Sequence, residues 1–201
     1  MKTFLQKYLR PAVVITLLLV MVTGFIYPGI VTGLAQLIFP NQANGSLVYA
    51  NGQVVGSALI GQYWTSANYF HGRPSVTVNP RTGAPEPYAA DNSSASNAGP
   101  TNASYMQTVQ QRVAALKREN PDAPAGPVPD DLVTASGSGL DPDITPAAAF
   151  YQAPRIARAR GLSLDQVKKL INDHIQGRFL WIFGEEHVNV LDLNLALDAL
   201  K

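Results

Sequence analysis

The stretch Thr134-Ala-Ser-Gly-Ser-Gly-Leu-Asp-Pro-Asp143 concentrates residue types that can do chemistry: two serines, two glycines and two acids within ten positions. Three chemistries use such residues. A phosphate cradle needs glycines whose backbone amides converge on an anion, but here Ser136-Gly137-Ser138-Gly139 lacks the closing Gly-Lys-Ser/Thr of a P-loop. No Lys lies within 15 residues on either side. A calcium loop needs oxygens spread over about twelve residues, and Asp141-Pro142-Asp143 is too short. A hydrolase needs an exposed nucleophile with a His and an Asp, and Ser138 is the candidate. Its surroundings approach a Gly-x-Ser-x-Gly elbow without forming one. The remaining alternative is structural. A buried turn with Gly137 or Gly139 at positive φ, and Asp141 bonding nearby backbone amides, explains the same composition.

Other reactive groups are sparse. His71, His174 and His187 show no metal-ligand spacing, and there is no Cys for a thiol nucleophile, a disulfide or a lipid anchor. Asp130-Asp131 and Glu185-Glu186 are adjacent pairs whose side chains diverge. Arg155, Arg158 and Arg160 crowd one helix end, where cations suit the dipole. The segment Tyr69-Phe70-His71-Gly72-Arg73-Pro74 is aromatic, stiffened by Pro and carries the first charge after Arg10. Its default is a packed turn with an ion-paired Arg. Its functional reading is a subunit interface built on Tyr69, Phe70, His71 and Arg73, because aromatics and Arg anchor interfaces.

These residues need elements to position them. Asn51-Gly52 between Leu47–Ala50 and Gln53–Val55 predicts a tight hairpin. Residues 76–100 read as a long irregular loop. A helix is expected from Asn102 to about Glu119, with Met106, Val109, Val113 and Leu116 as its core stripe. Thr145 caps a helix opened by Pro146 and stopped by Gly161. Ser163-x-x-Gln166 is a capping box for a helix that buries Leu164, Val167, Leu170, Ile171 and Ile175 and stops at Gly177. Phe179–Phe183 and Val188–Leu191 read as short strands, followed by a closing helix over Leu193–Leu200. Hairpin, helices and terminal strands together indicate an α+β domain.

The chain is 201 residues long with a net charge of only +1, and 14% of its residues are charged. The deficit is local, since residues 11–72 contain no Lys, Arg, Asp or Glu. Residues 11–201 hold 12 basic and 14 acidic groups, about −2, so no basic field for nucleic acid exists. Ala12–Phe39 exceeds the roughly 20 apolar residues needed to cross a bilayer. Tyr8 and Tyr27 bracket the block at interfacial spacing. Pro28 is expected to kink the helix or end its first part. Gly29-x-x-x-Gly33 offers a flat strip for helix packing. Lys2, Lys7 and Arg10 precede the span and no charge closely follows it, which places the amino terminus in the cytoplasm and the rest outside. The competing reading is a signal peptide cleaved near Gly33-Leu34-Ala35. Either way the domain is exported. The expected organisation is a cytoplasmic 1–10, a span and exit segment 11–39, and one mixed α+β extracytoplasmic domain over 40–201.

Several blocks occur in an order that is highly specific in combination. They are Gln42-Ala-Asn-Gly-Ser-Leu47, Gly56-Ser-Ala-Leu-Ile-Gly-Gln62, Tyr69-Phe-His-Gly-Arg-Pro-Ser75 and Gly99-Pro-Thr-Asn102, then Asp131-Leu-Val-Thr-Ala-Ser-Gly-Ser-Gly-Leu-Asp-Pro142, Ile144-Thr-Pro-Ala-Ala-Ala149 and Val188-Asn-Val-Leu-Asp-Leu-Asn-Leu-Ala-Leu-Asp198. Over residues 10–199 the chain resembles the KdpC family, the C subunits of Kdp potassium-transporting P-type ATPases. It departs from the family pattern at Ala98, Asp143 and Gln176, so no Leu, His or Glu role is carried to those positions.

The resemblance implies a non-catalytic, single-pass inner-membrane subunit of an ATP-driven potassium importer. The implied partners are a channel-like potassium-binding subunit, a P-type ATP-hydrolysing subunit, a small single-helix subunit and the lipid bilayer. The family is described as needed for assembly and as a catalytic chaperone that raises ATP affinity. That implies an association with ATP but no tightly bound cofactor. An exported domain cannot touch cytoplasmic ATP, so the implied effect is long-range coupling. An anchored exported hydrolase using Ser138 is the alternative. The chain has neither the Asp-Lys-Thr-Gly phosphorylation motif of a P-type pump nor the Thr-Val-Gly-Tyr-Gly filter of a potassium channel.

Overall fold

The computed structural model describes residues 4–200, so Lys2 of the orientation argument lies outside the described residues. The chain divides between Leu47 and Val48 into two compact units.

The first unit is dominated by one apolar helix, α1, over Leu5–Ile38, which carries no buried residue in its apolar window. Its two prolines do not break it. Each follows a widened π turn, Leu5–Leu9 before Pro11 and Val22–Ile26 before Pro28. Proline has no N–H and its ring crowds the carbonyl four residues back. A wider turn carries the ladder past that point: the Tyr27 N–H bonds the Val22 carbonyl, five residues back. Pro28 therefore sits within a continuous helix rather than ending its first part. Gly29 and Gly33 lie one turn apart, with open space where a Cβ would stand. A single helical turn, Pro40–Ala43, follows.

In the second unit, β1 (Leu47–Ala50) and β2 (Gln53–Ser57) form a two-stranded sheet. Asn51 and Gly52 both take positive φ, at 51° and 78°, as a two-residue hairpin turn requires. Helix α2, Ala103–Glu119, opens where the Asn102 side chain accepts the Tyr105 N–H. Val109, Val113 and Leu116 pack on the core, whereas Met106, at the exposed start of the stripe, does not.

The remaining elements make the core. Strand β3 (Asp143–Ile144) leads into α3 (Pro146–Arg160), capped by Thr145 and ended by Gly161 at φ +66°. The Ser163–Gln166 capping box opens α4, Leu164–His174. That helix stops before Gly177, with Ile175 as its C-cap. Strand β4 is only Val188–Asn189, and it pairs antiparallel with β3 in the register Asp143↔Asn189 and Ile144↔Val188. The expected strand over Val188–Leu191 is shorter because the Asn189 side chain caps α5, Val190–Ala199, by accepting the Asp192 N–H. Ile156, Val167, Ile171, Leu193 and Leu197 are fully buried where α3, α4 and α5 meet. Each such side chain contributes about 1.5–3 kcal/mol by leaving water. The fold is thus a mixed α+β domain of helices and small sheets.

One expected strand is absent. Phe179–Phe183 is the tip of a tight hairpin, closed by mutual backbone bonds between Phe179 and Phe183 at 2.8 and 2.9 Å. Leu180 and Trp181 both take positive φ, which no strand residue does.

Candidate functional site

The Tyr69–Ser75 segment and the glycine-serine loop are brought together. Arg73 Nη1 lies 3.1 Å from Asp141 Oδ2, and Arg73 Nη2 reaches the Ala135 carbonyl at 3.4 Å. The Gly61 N–H bonds the Leu140 carbonyl at 2.8 Å, which ties in the segment after β2. Tyr88 donates its hydroxyl proton to the Arg73 carbonyl at 2.6 Å. Burial first, and the Asp141 charge second, push that phenol up to about 12, so it remains a donor.

Within the loop the polar side chains bond the loop's own backbone amides. The Ser136 hydroxyl accepts the Gly139 N–H at 2.8 Å, Ser138 Oγ accepts the Leu140 N–H at 3.1 Å, and Asp141 Oδ1 accepts the Asp143 N–H at 3.1 Å. The Ser138 carbonyl takes the Ser94 N–H at 2.9 Å. Ser136 and Gly139 are buried, while Gly137 and Ser138 are exposed. Gly139 has φ +69°, and a Cβ there would stand 2.7 Å from both the Ser94 carbonyl oxygen and Thr77 Cγ2. Gly137 has no such neighbour.

No base stands against Ser138 among the described residues. Its hydroxyl meets Ser136 Oγ at 3.5 Å and the Leu140 N–H. The three histidines are engaged elsewhere: His71 Nε2 at Ser66 O, His174 Nδ1 at Leu170 O and His187 Nδ1 at Glu185 O.

Phe70 requires a correction. As an interface candidate it needs an exposed ring, but it is wholly buried in the core. Its neighbours differ. Tyr69 stacks 4.7 Å from Trp64, lies under the Arg160 guanidinium and hydrogen-bonds Asp198. Tyr69, His71 and Arg73 all remain partly exposed.

A cleft of about 370 Å³ opens beside this segment, lined by Tyr63, Trp64, His71, Arg73, Tyr88 and Glu119. Trp64 Nε1 and Arg73 Nε are buried without a hydrogen-bond partner among the described residues.

Three positioning residues were not singled out for this role in the sequence. Gln152 donates to the His71 carbonyl and accepts the His71 N–H, at 3.1 and 2.8 Å. Asn194 does the same for Phe70, at 3.0 and 2.8 Å. Arg155 is also buried, and bonds Gln152 Oε1, Asn120 Oδ1 and the Ala67 carbonyl. The available signal was a polar residue on the inward side of each apolar helix, one helical turn from a buried Ala148 or Val190.

The chain matches the family model described as K+-transporting ATPase, c chain (KdpC), over residues 9–199. The chain belongs to the KdpC family. It is 53% identical over 200 residues to the potassium-transporting ATPase KdpC subunit of Rhodopseudomonas palustris strain BisB18, covering 97% of this chain and 99% of that one. Likeness to the KdpC subunit of Sorangium cellulosum is 53% over 194 residues, covering 96% and 98%. For that of Methylorubrum populi it is 52% over 198 residues, covering 96% and 97%. The chain is accordingly a non-catalytic accessory subunit of a Kdp potassium-transporting ATPase.

Two predictions follow from the site's geometry. Gly139→Ala combines a left-handed backbone with a methyl set against a backbone carbonyl, and should cost at least about 2 kcal/mol. Gly137→Ala should stay within about 0.5 kcal/mol. Thermal unfolding of both variants checks this, and equal losses would contradict the assignment.

The second concerns pH. His71 is held below its ordinary 6.5, by burial first and Arg155 second, against the pull of Glu119 and the Ser66 carbonyl. As pH falls below 6.5 the unfolded chain takes the proton first. The contribution of neutral His71 is therefore intact above that value and is lost as pH falls through the folded-state value. Urea unfolding in detergent between about pH 7.5 and about pH 5 should show this loss, and His71→Gln should flatten it.

Proposed function

We propose that this subunit is a single-pass protein of the inner membrane, with its amino terminus in the cytoplasm and its α+β domain outside. Its partners on this reading are the channel-like potassium-binding subunit, the P-type ATP-hydrolysing subunit and the small single-helix subunit. The observation that carries the reading is one apolar helix near the amino terminus of a KdpC-family chain, with basic residues at its start and no charge for the next 62 positions, 11–72. Gly29 and Gly33 offer the span a smooth strip for a neighbouring helix. Tyr69, together with His71, Arg73 and the cleft that those two border, offers the domain a surface for a partner subunit.

On this placement ATP lies across the membrane from the domain. Any effect of the subunit on ATP affinity is then coupling between distant sites through the assembled pump. The Ser136–Asp141 loop serves as structure and takes no part in chemistry.

A topology reporter fused to the carboxyl end should be active only when exported. Tagged chain should co-purify the other pump subunits with potassium-dependent ATPase activity, and Ser138→Ala should leave that activity unchanged. A cytoplasmic reporter signal would overturn the placement and reopen direct nucleotide contact. Loss of activity in a folded Ser138→Ala variant would favour hydrolase chemistry.

A further inference from the structure

The least explained feature of the domain is the hairpin closed at its base by Gln176 and His187, which exchange backbone bonds at 2.8 and 3.1 Å. At its tip, five consecutive residues, Phe179-Leu180-Trp181-Ile182-Phe183, are apolar and exposed, with Trp181 at 91%. Such a run is expensive in water unless something covers it. The tip is a defined structure. The Trp181 N–H bonds the Arg178 carbonyl at 3.1 Å, and Arg178 and Glu185 pair across the stem at 2.5 Å. Leu180 and Trp181 hold positive φ, a conformation that side chains disfavour. The bent backbone leaves Trp181 the most exposed of the five.

We propose that this hairpin inserts into the surface of the bilayer that α1 spans. Three observations select lipid over a groove on another protein. The first is two-sidedness. All five side chains are more than half exposed, on both arms of the tip and across its turn. A tip docked in a protein groove has a dry side and a wet one. Here five residues in a row are apolar, which suits a medium that surrounds the tip.

The second is amphipathic layering. Aromatics occupy the apolar segment, Trp181 at its end, and the charged pair Arg178–Glu185 stands at the stem, the arrangement favoured where hydrocarbon meets headgroups. Phe179 and Trp181 are two residues apart and so separated by at most about 7 Å, a length compatible with the depth of about 5–10 Å typical of interfacial insertion. The third is proximity. The connector from α1 to the domain, residues 39–47, can extend at most about 30 Å, so the domain stays tethered within reach of the bilayer that α1 would span. The proposal rests on α1 being a membrane anchor and is independent of which side the domain occupies.

The test uses the full chain in phosphatidylcholine vesicles. Trp64→Phe leaves Trp181 as the sole tryptophan. If that variant does not fold, the wild-type signal minus that of Trp181→Ala gives the same quantity. The chain should float with the vesicles. Trp181 emission should be blue-shifted and lose most of its intensity when the acyl chains are brominated, while iodide on both sides of the membrane has little effect. The same quenching should persist in the assembled pump. A chain that floats but whose Trp181 is quenched by iodide and not by brominated lipid overturns the insertion alone. A Trp181 shielded from both quenchers once the other subunits are bound assigns the tip to a protein groove and also overturns it. A chain that does not float removes the anchor and the proposal with it.

Discussion

Two side-chain amides govern the geometry of the domain. Gln152 from α3 and Asn194 from α5 are both fully buried, and each grips the N–H and the carbonyl of one residue in the extended segment, His71 and Phe70 respectively. An extended segment without a strand beside it has nowhere else to place its buried backbone groups. The amides act as a substitute sheet edge. Leaving one such group unsatisfied costs about 1–3 kcal/mol, so the pair fixes where the segment runs as well as that it is buried. Arg155 locks the arrangement from behind by bonding Gln152 Oε1 at 2.7 Å and Asn120 Oδ1 at 3.0 Å, with Glu119 at 3.6 Å to balance its charge.

The rest of the site follows from that clamp. With Phe70 driven into the core, Tyr69 and His71 emerge on either side of it. Arg73 then arrives beside Asp141, and the glycine-serine loop is drawn against the Ser75–Ser94 loop, where only a residue without a Cβ fits at position 139. The loop's serines spend their hydrogen bonds on its own amides, which is why a composition suggestive of catalysis or phosphate binding yields a rigid turn.

What could be read from the sequence was local. The Asn51-Gly52 turn, the Asn102 and Thr145 caps, the Ser163 capping box and the Gly161 stop each depend on a few adjacent residues, and each is in place. The long apolar helix was equally plain, although the way it passes Pro28 was not. The misreadings came from tertiary context. Phe70 looked like an interface aromatic because nothing local reveals that Asn194, 124 positions away, holds its backbone inside. Phe179–Phe183 has strand composition but sits in a turn with two left-handed residues, a choice that apolar content does not encode. Polar residues on apolar helices were the clue to the amide clamp, and their partners were invisible because they are backbone atoms.

The most direct test is residue-resolved hydrogen exchange of the full chain in detergent, focused on the amides of Phe70 and His71. If the buried amides hold this segment, both exchange as slowly as the core amides of α3. Asn194→Ala then accelerates Phe70 selectively. Exchange of Phe70 and His71 in the wild-type chain as fast as that of an exposed loop amide such as Gly126 would contradict the account.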